Sequence, residues 1–372
     1  MDVRLNRNLS PLGLLLILSL LFIQCGDAGI IDEKTDPDEE NPIPDDKPDS
    51  GLNETIFELL NLDYPGLEKV KEYHTNGQLP DAARELLNYY RSRDGVVNPN
   101  VDLANPTVND FDLNVANQAL EYRFYVRNFK ETTVNGKEVY YLFKRLNKID
   151  WEHTPPGITD QEFTNQKHRH QWMLPQAKAY AVTKNEDYAK SWIEVYGNWL
   201  EAHPVPSGSV TRNNVAWHAL QPASRAIAQV DIFDYFISST HFTPEWLTIF
   251  LASFHDTIET IRNNYYYTRE SNIYVTQVQA VITAGMLFPE FNKSPDWLTE
   301  GTNSIAEQVV SQFLEDGVQN ELDPSYHIGI IADFYTIYKL ASSNNKLDLD
   351  THGAPRFGSK KCDKQLLCGS DA

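Results

Sequence analysis

The chain of 372 residues is short of several things, and each shortage excludes something. It has three cysteines, too few and too scattered for a disulfide framework or a paired Cys/His zinc pattern. Positive charge is scarce: 32 Lys and Arg stand against 52 Asp and Glu, for a net charge of −20. No basic stripe is visible, which disfavours nucleic-acid binding. The acidity still leaves room for an anionic ligand, because the field inside a pocket can oppose the sign of the whole molecule. A long apolar run is also missing. The longest, PLGLLLILSLLFI from Pro11 to Ile23, falls well short of a bilayer-spanning helix, which takes about 20 residues.

That run follows Arg4 and Arg7 and ends at Gln24, Cys25 and Gly26. A basic start and a short apolar stretch make a secretory signal. Ending it at LFIQC suggests a lipoprotein-type signal over residues 1–25, with Cys25 as the lipid attachment point and the only contact with a membrane. Gln24 stands where a small residue is usual, so the alternative is ordinary secretion with an incidental cysteine. The expected location is the periplasm, or the outer membrane of a Gram-negative bacterium through the lipid. Residues 26–51 follow as an acidic tether: Asp27 to Asp49 holds ten acids, two lysines and four prolines. Such a piece cannot bury enough apolar surface to order itself. An acidic interaction tail is the functional alternative.

What the rest does have is helical period. IFELLNL, YPGLEKVKEYHT and LPDAARELLNYYRSR are short amphipathic pieces punctuated by Pro and Gly. A polar stretch, VVNPNVDLANPTVNDFDLNVANQAL, separates them from ETTVNGKEVYYLF, whose Asn-Gly step between apolar runs predicts a hairpin. Three helical pairs come next. The first runs from QKHRHQWML through a KNED turn to DYAKSWIEVYGNWL, the second spans VAWHALQPASRAIAQVDIFDYF and PEWLTIFLASFHDTIETIRNNY, and the third joins IYVTQVQAVITAGMLFPEF to SIAEQVVSQFLED. Successive hairpins, each apolar on one side, predict an all-α fold: an incomplete α/α toroid of stacked pairs over residues 52–349. Residues 350–372 (DTHGAPRFGSKKCDKQLLCGSDA) have no period and hold both remaining cysteines. They are expected to be an aberrant, disordered tail produced by a frame change near Leu349 that ends the chain early.

One helix start has chemical interest of its own. In ELDPSYHIGI, Asp323 can cap free amides and Pro324 suits a first helical position. Tyr326 and His327 then sit in the first turn, where the helix dipole favours negative charge. The alternative is that Tyr326 simply packs on a neighbouring hairpin.

Four phrases in order carry a resemblance: KHRHQWMLPQAKAYAVTKNEDYAKSWI, AWHALQPASRAIA, ESNIYVTQVQAVITAGMLFPEF and DGVQNELDPSYHIGII. Together they resemble the helical N-terminal region of bacterial heparinase III, the heparin-sulfate lyases, over roughly residues 56–347. The resemblance implies a toroid followed by a β-sandwich, and cleavage of heparan sulfate by β-elimination. It implies Asn272 and Tyr326 as catalytic residues, with His327 matching a further position that the family uses. Asn272 has a plainer alternative as the cap of a helix beginning at Ile273. The family's additional catalytic histidine lies beyond the toroid, and His352 in the tail cannot be assigned that role.

Arg169, His170, Arg212 and Arg225 are candidates for holding sulfate or carboxylate groups, with salt bridges or caps as the alternative. His168 and His170, two apart on an expected helix, diverge too far to chelate a metal together. Trp172, Trp192, Trp199 and Trp217 read mostly as core. No metal or cofactor is expected; the partners expected are an acidic polysaccharide and, as a candidate, a separately encoded C-terminal domain. The leading expectation is a lyase in truncated, weakly active or inactive form, and the alternative is a non-catalytic, glycan-binding surface lipoprotein.

Overall fold

The computed structural model describes residues 51–346, together with the backbone of 348–349, 355–357 and 360–361. The expected signal, Cys25 and all of the tether but Gly51 lie outside the described residues. So does the tail, except for those short segments. There the backbone pairs as an antiparallel ribbon, Asp348–Leu349 with Pro355–Phe357 and the latter with Lys360–Lys361, where no regular structure was expected. Only two residues separate the last two strands, the length at which tight hairpins close.

Twelve helices carry the described fold. They are α1 (Ile56–Leu59), α2 (Glu68–Thr75), α3 (Leu79–Ser92), α4 (Asp110–Ala119), α5 (Gln161–Lys167), α6 (Leu174–Thr183), α7 (Asp187–Ala202), α8 (Leu220–Phe236), α9 (Pro244–Asn263), α10 (Asn272–Leu287), α11 (Ser294–Ser311) and α12 (Pro324–Ser343). Packing sorts most of them into two rows. An inner row runs α4, α6, α8, α10, α12, each helix packed on the next. Outside it, α7 packs on α6, α9 on α8 and α11 on α10. This is a toroid-like stack of helical hairpins, as the periodicity predicts. α8 and α10 are buried nearly all round because they have neighbours on both sides and behind.

Close approach of α10 and α11 needs small residues. A Cβ at Gly301 would meet Ile282 Cγ1 at 2.5 Å, and one at Gly285 would meet Leu298 Cγ at 2.8 Å. Elsewhere the core is aromatic: Trp192 touches Phe236, Phe242, Trp246 and Phe250, with centroids 5.2 to 6.0 Å apart. Such pairs add about 0.5–1.5 kcal/mol each beyond the area they bury.

Between α4 and α5 the chain forms three small antiparallel pairs. β1 (Arg123–Phe124) pairs with β4 (Tyr141–Leu142), β2 (Thr132–Val134) with β3 (Lys137–Val139), and β5 (Lys144–Arg145) with β6 (Lys148–Ile149). The β2–β3 pair is the hairpin expected from the Asn-Gly step, and Asn135 and Gly136 both take positive φ, 50° and 78°.

Two expectations change. α4 lies inside the stretch read as polar: Asn109 accepts from the Asp112 N–H at 2.7 Å, and Val115, Ala116 and Ala119 form its buried stripe. The stretch QKHRHQWML is not one helix. α5 ends at Lys167, His170 takes φ 57°, a 3-10 turn covers Gln171–Met173, and only then does α6 begin.

Candidate active site

The inner helices direct their N-terminal ends to one region, where two clefts adjoin. The larger, of about 820 Å³, takes in Ala219, Leu220 and Gln221 at the start of α8, Asn272 and Ile273 at the start of α10, and Tyr326 in the first turn of α12. The smaller, of about 450 Å³, is lined by Phe111 and Asp112 of α4 and Leu174 and Pro175 of α6. Glu162 and Arg169 line both. Each of these helix starts carries a partial positive charge of about half an elementary unit. α6 and α8 have no side-chain cap, so their first amides have no side-chain acceptor. An acidic chain thus presents a row of dipole-positive ends to one groove, a setting suited to anions.

Asn272 and Tyr326 come from helices separated by 54 positions, yet both line the larger cleft. The capping alternative for Asn272 is removed: Ser271 is the cap, accepting from the Tyr274 N–H at 3.3 Å, and Asn272 is the first helical residue. Its backbone N–H and side-chain Nδ2 both donate to Glu321, at 2.9 and 3.0 Å. Tyr326 is half exposed, and its backbone N–H donates to Asp323 Oδ1 at 3.1 Å. His327 does not line the cleft. It turns toward Phe313, and its Nδ1 accepts from the Gln319 backbone N–H at 3.3 Å.

Arg169 and Arg212 both line the larger cleft. Arg169 forms a two-pronged pair with Glu162, at 3.0 and 3.1 Å. Burial pushes the Glu162 carboxyl up, but the Asn165 amide and the Arg169 guanidinium outweigh it and hold the group below its ordinary value. Arg212 is exposed and has no carboxylate within 4.0 Å among the described residues.

His170 and Arg225 are not cleft ligands. His170 is fully buried against Trp199 and Tyr196, and burial first, then Arg225, drives its basicity well below that of free imidazole. Arg225 is buried between the indoles of Trp199 and Trp217, 4.1 and 4.6 Å from their centroids. A guanidinium is flat and weakly hydrated, so it can be buried by stacking where an ammonium cannot. One of its nitrogens donates to the carbonyls of His168 at 2.8 Å and Ala216 at 2.9 Å. It thereby ties together the two loops that carry Arg169 and Arg212. His168 and His170 do not share a helix: α5 ends at Lys167 and His170 takes φ 57°. Both contact Trp199, which donates to His168 Nδ1 at 3.2 Å. Among the described residues, no group of three or more His, Cys, Asp or Glu side chains is placed to hold a metal. Trp192, Trp199 and Trp217 are core, whereas Trp172, though buried, lines the smaller cleft.

Several cleft residues escaped the sequence reading: Glu162, His218, Tyr266 and Glu321. Burial, then the nearby Arg212, lowers the basicity of His218 on the cleft wall. Tyr266 Oη donates to Tyr267 Oη at 3.4 Å, a bond that raises the first phenol's pKa and lowers the second's. Gln277, buried beneath, accepts from the Tyr266 N–H and donates to the Ala219 carbonyl, at 2.8 and 2.9 Å. Ala219 takes φ 54°, a costly conformation for a residue with a Cβ, at the mouth of α8.

Comparison with known proteins agrees with this frame. The family model described as Heparinase II/III N-terminus matches residues 56–349. The heparin-sulfate lyase of Bacteroides thetaiotaomicron is 43% identical over 303 residues, covering 81% of this chain and 42% of that protein. The heparin-sulfate lyase of Bacteroides stercoris is 34% identical over 305 residues, covering 78% and 44%. A crystal structure of heparinase III superposes with a TM-score of 0.75 at 42% identity, over 79% of this chain and 44% of that one. The chain therefore spans less than half the length of the relatives it matches. With the family pattern running through nearly all of its described helices, the chain belongs to the heparinase II/III N-terminal family.

Proposed function

We propose that this chain carries the catalytic cleft of a polysaccharide lyase acting on heparan-sulfate-like glycosaminoglycans by β-elimination at a uronic acid. The observation that carries this reading is the convergence of Asn272 and Tyr326, from two different helices, on a groove ringed by helix N-termini and two arginines.

The chemistry sets three tasks. A base must take the proton at C5, α to the carboxylate; the electron pair becomes the C4–C5 double bond; and the C4–O4 bond breaks as O4 receives a proton. An ionised carboxylate makes the carbanion prohibitively unstable, so donors must absorb its charge. The amide of Asn272 suits that task, since it donates hydrogen bonds without titrating. The Tyr326 hydroxyl, half exposed on the same cleft, suits proton transfer at C5 and O4. Arg169 and Arg212 supply charge for sulfate or carboxylate groups on flanking sugars.

Heparan sulfate is the substrate class to test first, because relatives at 43% and 34% identity are named heparin-sulfate lyases. The test is the ultraviolet absorbance of the unsaturated uronate product. Tyr326→Phe should cut turnover by at least about 100-fold, the scale of a lost acid–base group, while oligosaccharide affinity survives. Turnover by Tyr326→Phe near the wild-type rate removes Tyr326 from the chemistry. A full-length version that binds glycosaminoglycans but yields no unsaturated product from any uronate polysaccharide leaves the glycan-binding alternative, whereas silence from this chain alone also fits a lyase in truncated form.

A further inference from the structure

Glu321 carried no role in the sequence, yet it is the group that Asn272 holds. Its Oε2 accepts from three donors: the Asn272 backbone N–H at 2.9 Å, Asn272 Nδ2 at 3.0 Å and Gln319 Nε2 at 3.0 Å. Its Oε1 accepts from the same Asn272 Nδ2, also at 3.0 Å. The two hydrogens of an amide diverge too widely for both to make straight bonds to the closely set oxygens of one carboxylate. Equal distances set the nitrogen symmetrically against the carboxylate, where a single N–H aimed between the oxygens satisfies both contacts and leaves the other for a ligand.

The carboxylate is itself held firmly. Glu321 N–H donates to Gln319 Oε1 at 3.0 Å, and Asn320 N–H donates to the Gln312 carbonyl at 2.8 Å. Gln319 is fully buried, and its own backbone N–H donates to His327 Nδ1. That bond makes Nδ1 an acceptor and puts the ring proton on Nε2. A chain of contacts thus runs from His327 in the first turn of α12, through Gln319 and Glu321, to Asn272 at the first position of α10. Displacing the Glu321 carboxylate would strand three N–H donors at once, so a substrate carboxylate does not simply replace it.

The geometry points to Glu321 as a positioning residue for the elimination, and to His327 as its support through Gln319. Glu321 anchors the Asn272 amide by one N–H so that the second is presented to the sugar carboxylate. Its negative charge is spread over those hydrogen bonds and faces the positive end of α10. The inference rests on the lyase reading above, and it explains why a histidine that does not line the cleft sits beside Tyr326.

The test compares the full chain with Glu321→Gln, Asn272→Ala and the double variant, using heparan sulfate oligosaccharides as substrate. Glu321→Gln keeps the shape but turns an NH2 group toward Asn272 Nδ2. It should lower kcat about 10- to 100-fold, the range for a misdirected group near the chemistry, while KM stays within about threefold. In the Asn272→Ala background it should cost nothing further, because it acts only through that amide. Additive losses in the double variant, or a rise in KM with kcat intact, would overturn the inference.

A second readout does not depend on turnover. With nitrogen-15 asparagine, the Asn272 side-chain NH2 should give two well-separated, slowly exchanging signals that collapse in Glu321→Gln. Signals unchanged by that substitution, or already averaged in the wild type, overturn the inference. Absence of product from the wild type counts against the lyase reading alone, and the amide signals still decide the contact.

Discussion

Two arginine–glutamate pairs in this molecule share a contact distance and little else. Arg93 and Glu290 lie 2.8 Å apart with side chains 9% and 0% exposed. Arg169 and Glu162 lie 3.0 Å apart with side chains 15% and 44% exposed. The first pair joins α3 to the turn after α10. Glu290 also accepts from the hydroxyls of Tyr89 and Tyr90, and the guanidinium stacks over the rings of Tyr90 and Phe288. Burial, then Glu290, pushes the Tyr89 phenol far above its ordinary pKa, so it stays a donor at every relevant pH. The second pair stands on the wall between the two clefts. Sealed from water, the pairing is a clamp with no other partner to take; wetted on a groove, the same pairing can be exchanged for a sulfate or a carboxylate.

The comparison breaks most sharply at Glu290. Glu290→Ala leaves Arg93 buried with no counter-charge, and should destabilise the fold by about 3–5 kcal/mol. Urea unfolding measures this directly. A cost below about 1 kcal/mol, the range of a surface pair, would mean that water reaches Arg93 and the distinction is false.

Arg169→Ala should do the reverse. The loss of a partly exposed pair costs at most about 1 kcal/mol of stability. Affinity for a sulfated oligosaccharide should fall about tenfold, the equivalent of ~1.4 kcal/mol, and the loss should shrink at high salt. Affinity that ignores both the substitution and the salt would remove Arg169 from the binding surface.

How much of this was legible beforehand follows the range of the forces involved. Short-range signals spoke clearly. The apolar period marked the helical hairpins, Asp323-Pro324 marked the start of α12, and Asn135-Gly136 marked a hairpin. α4 is faint in the sequence although Asn109 and two first-turn acids announce it, because its apolar buried stripe is only three residues long. The break at His168–His170 had no local sign. It depends on Arg225, 57 positions away, taking the His168 carbonyl. Nothing local separates Arg225 and His170 from substrate ligands, for the same reason: their surroundings of Trp199, Trp217 and Tyr196 are assembled only in three dimensions. In the cleft, Asn272 and Tyr326 were reached through a family resemblance, while Glu321 was missed even though it stands two residues before the Asp323 cap. Its partner is 49 positions away, and no spacing rule reaches that far.

The finest distinction concerns Glu162 itself. If the cleft pair is exchangeable, its carboxylate competes with the substrate for Arg169, and Glu162→Gln should tighten oligosaccharide binding by about two- to threefold, a fraction of a kcal/mol as for other exposed pairs. The glutamine oxygen can still accept from Asn165, so the start of α5 should hold and the melting temperature should barely move. The pH dependence has a definite sign. The folded-state pKa of Glu162 lies below its ordinary 4.5, so the pair's small stabilisation is fully present above that value. It fades as pH falls through the lower, folded-state value. Binding in the neutral range should therefore be independent of Glu162 protonation, and the wild type should approach the affinity of Glu162→Gln only in acid. A variant that binds more weakly than the wild type at neutral pH would show the carboxylate aligning Arg169 for the ligand, making this pair a clamp like the buried one.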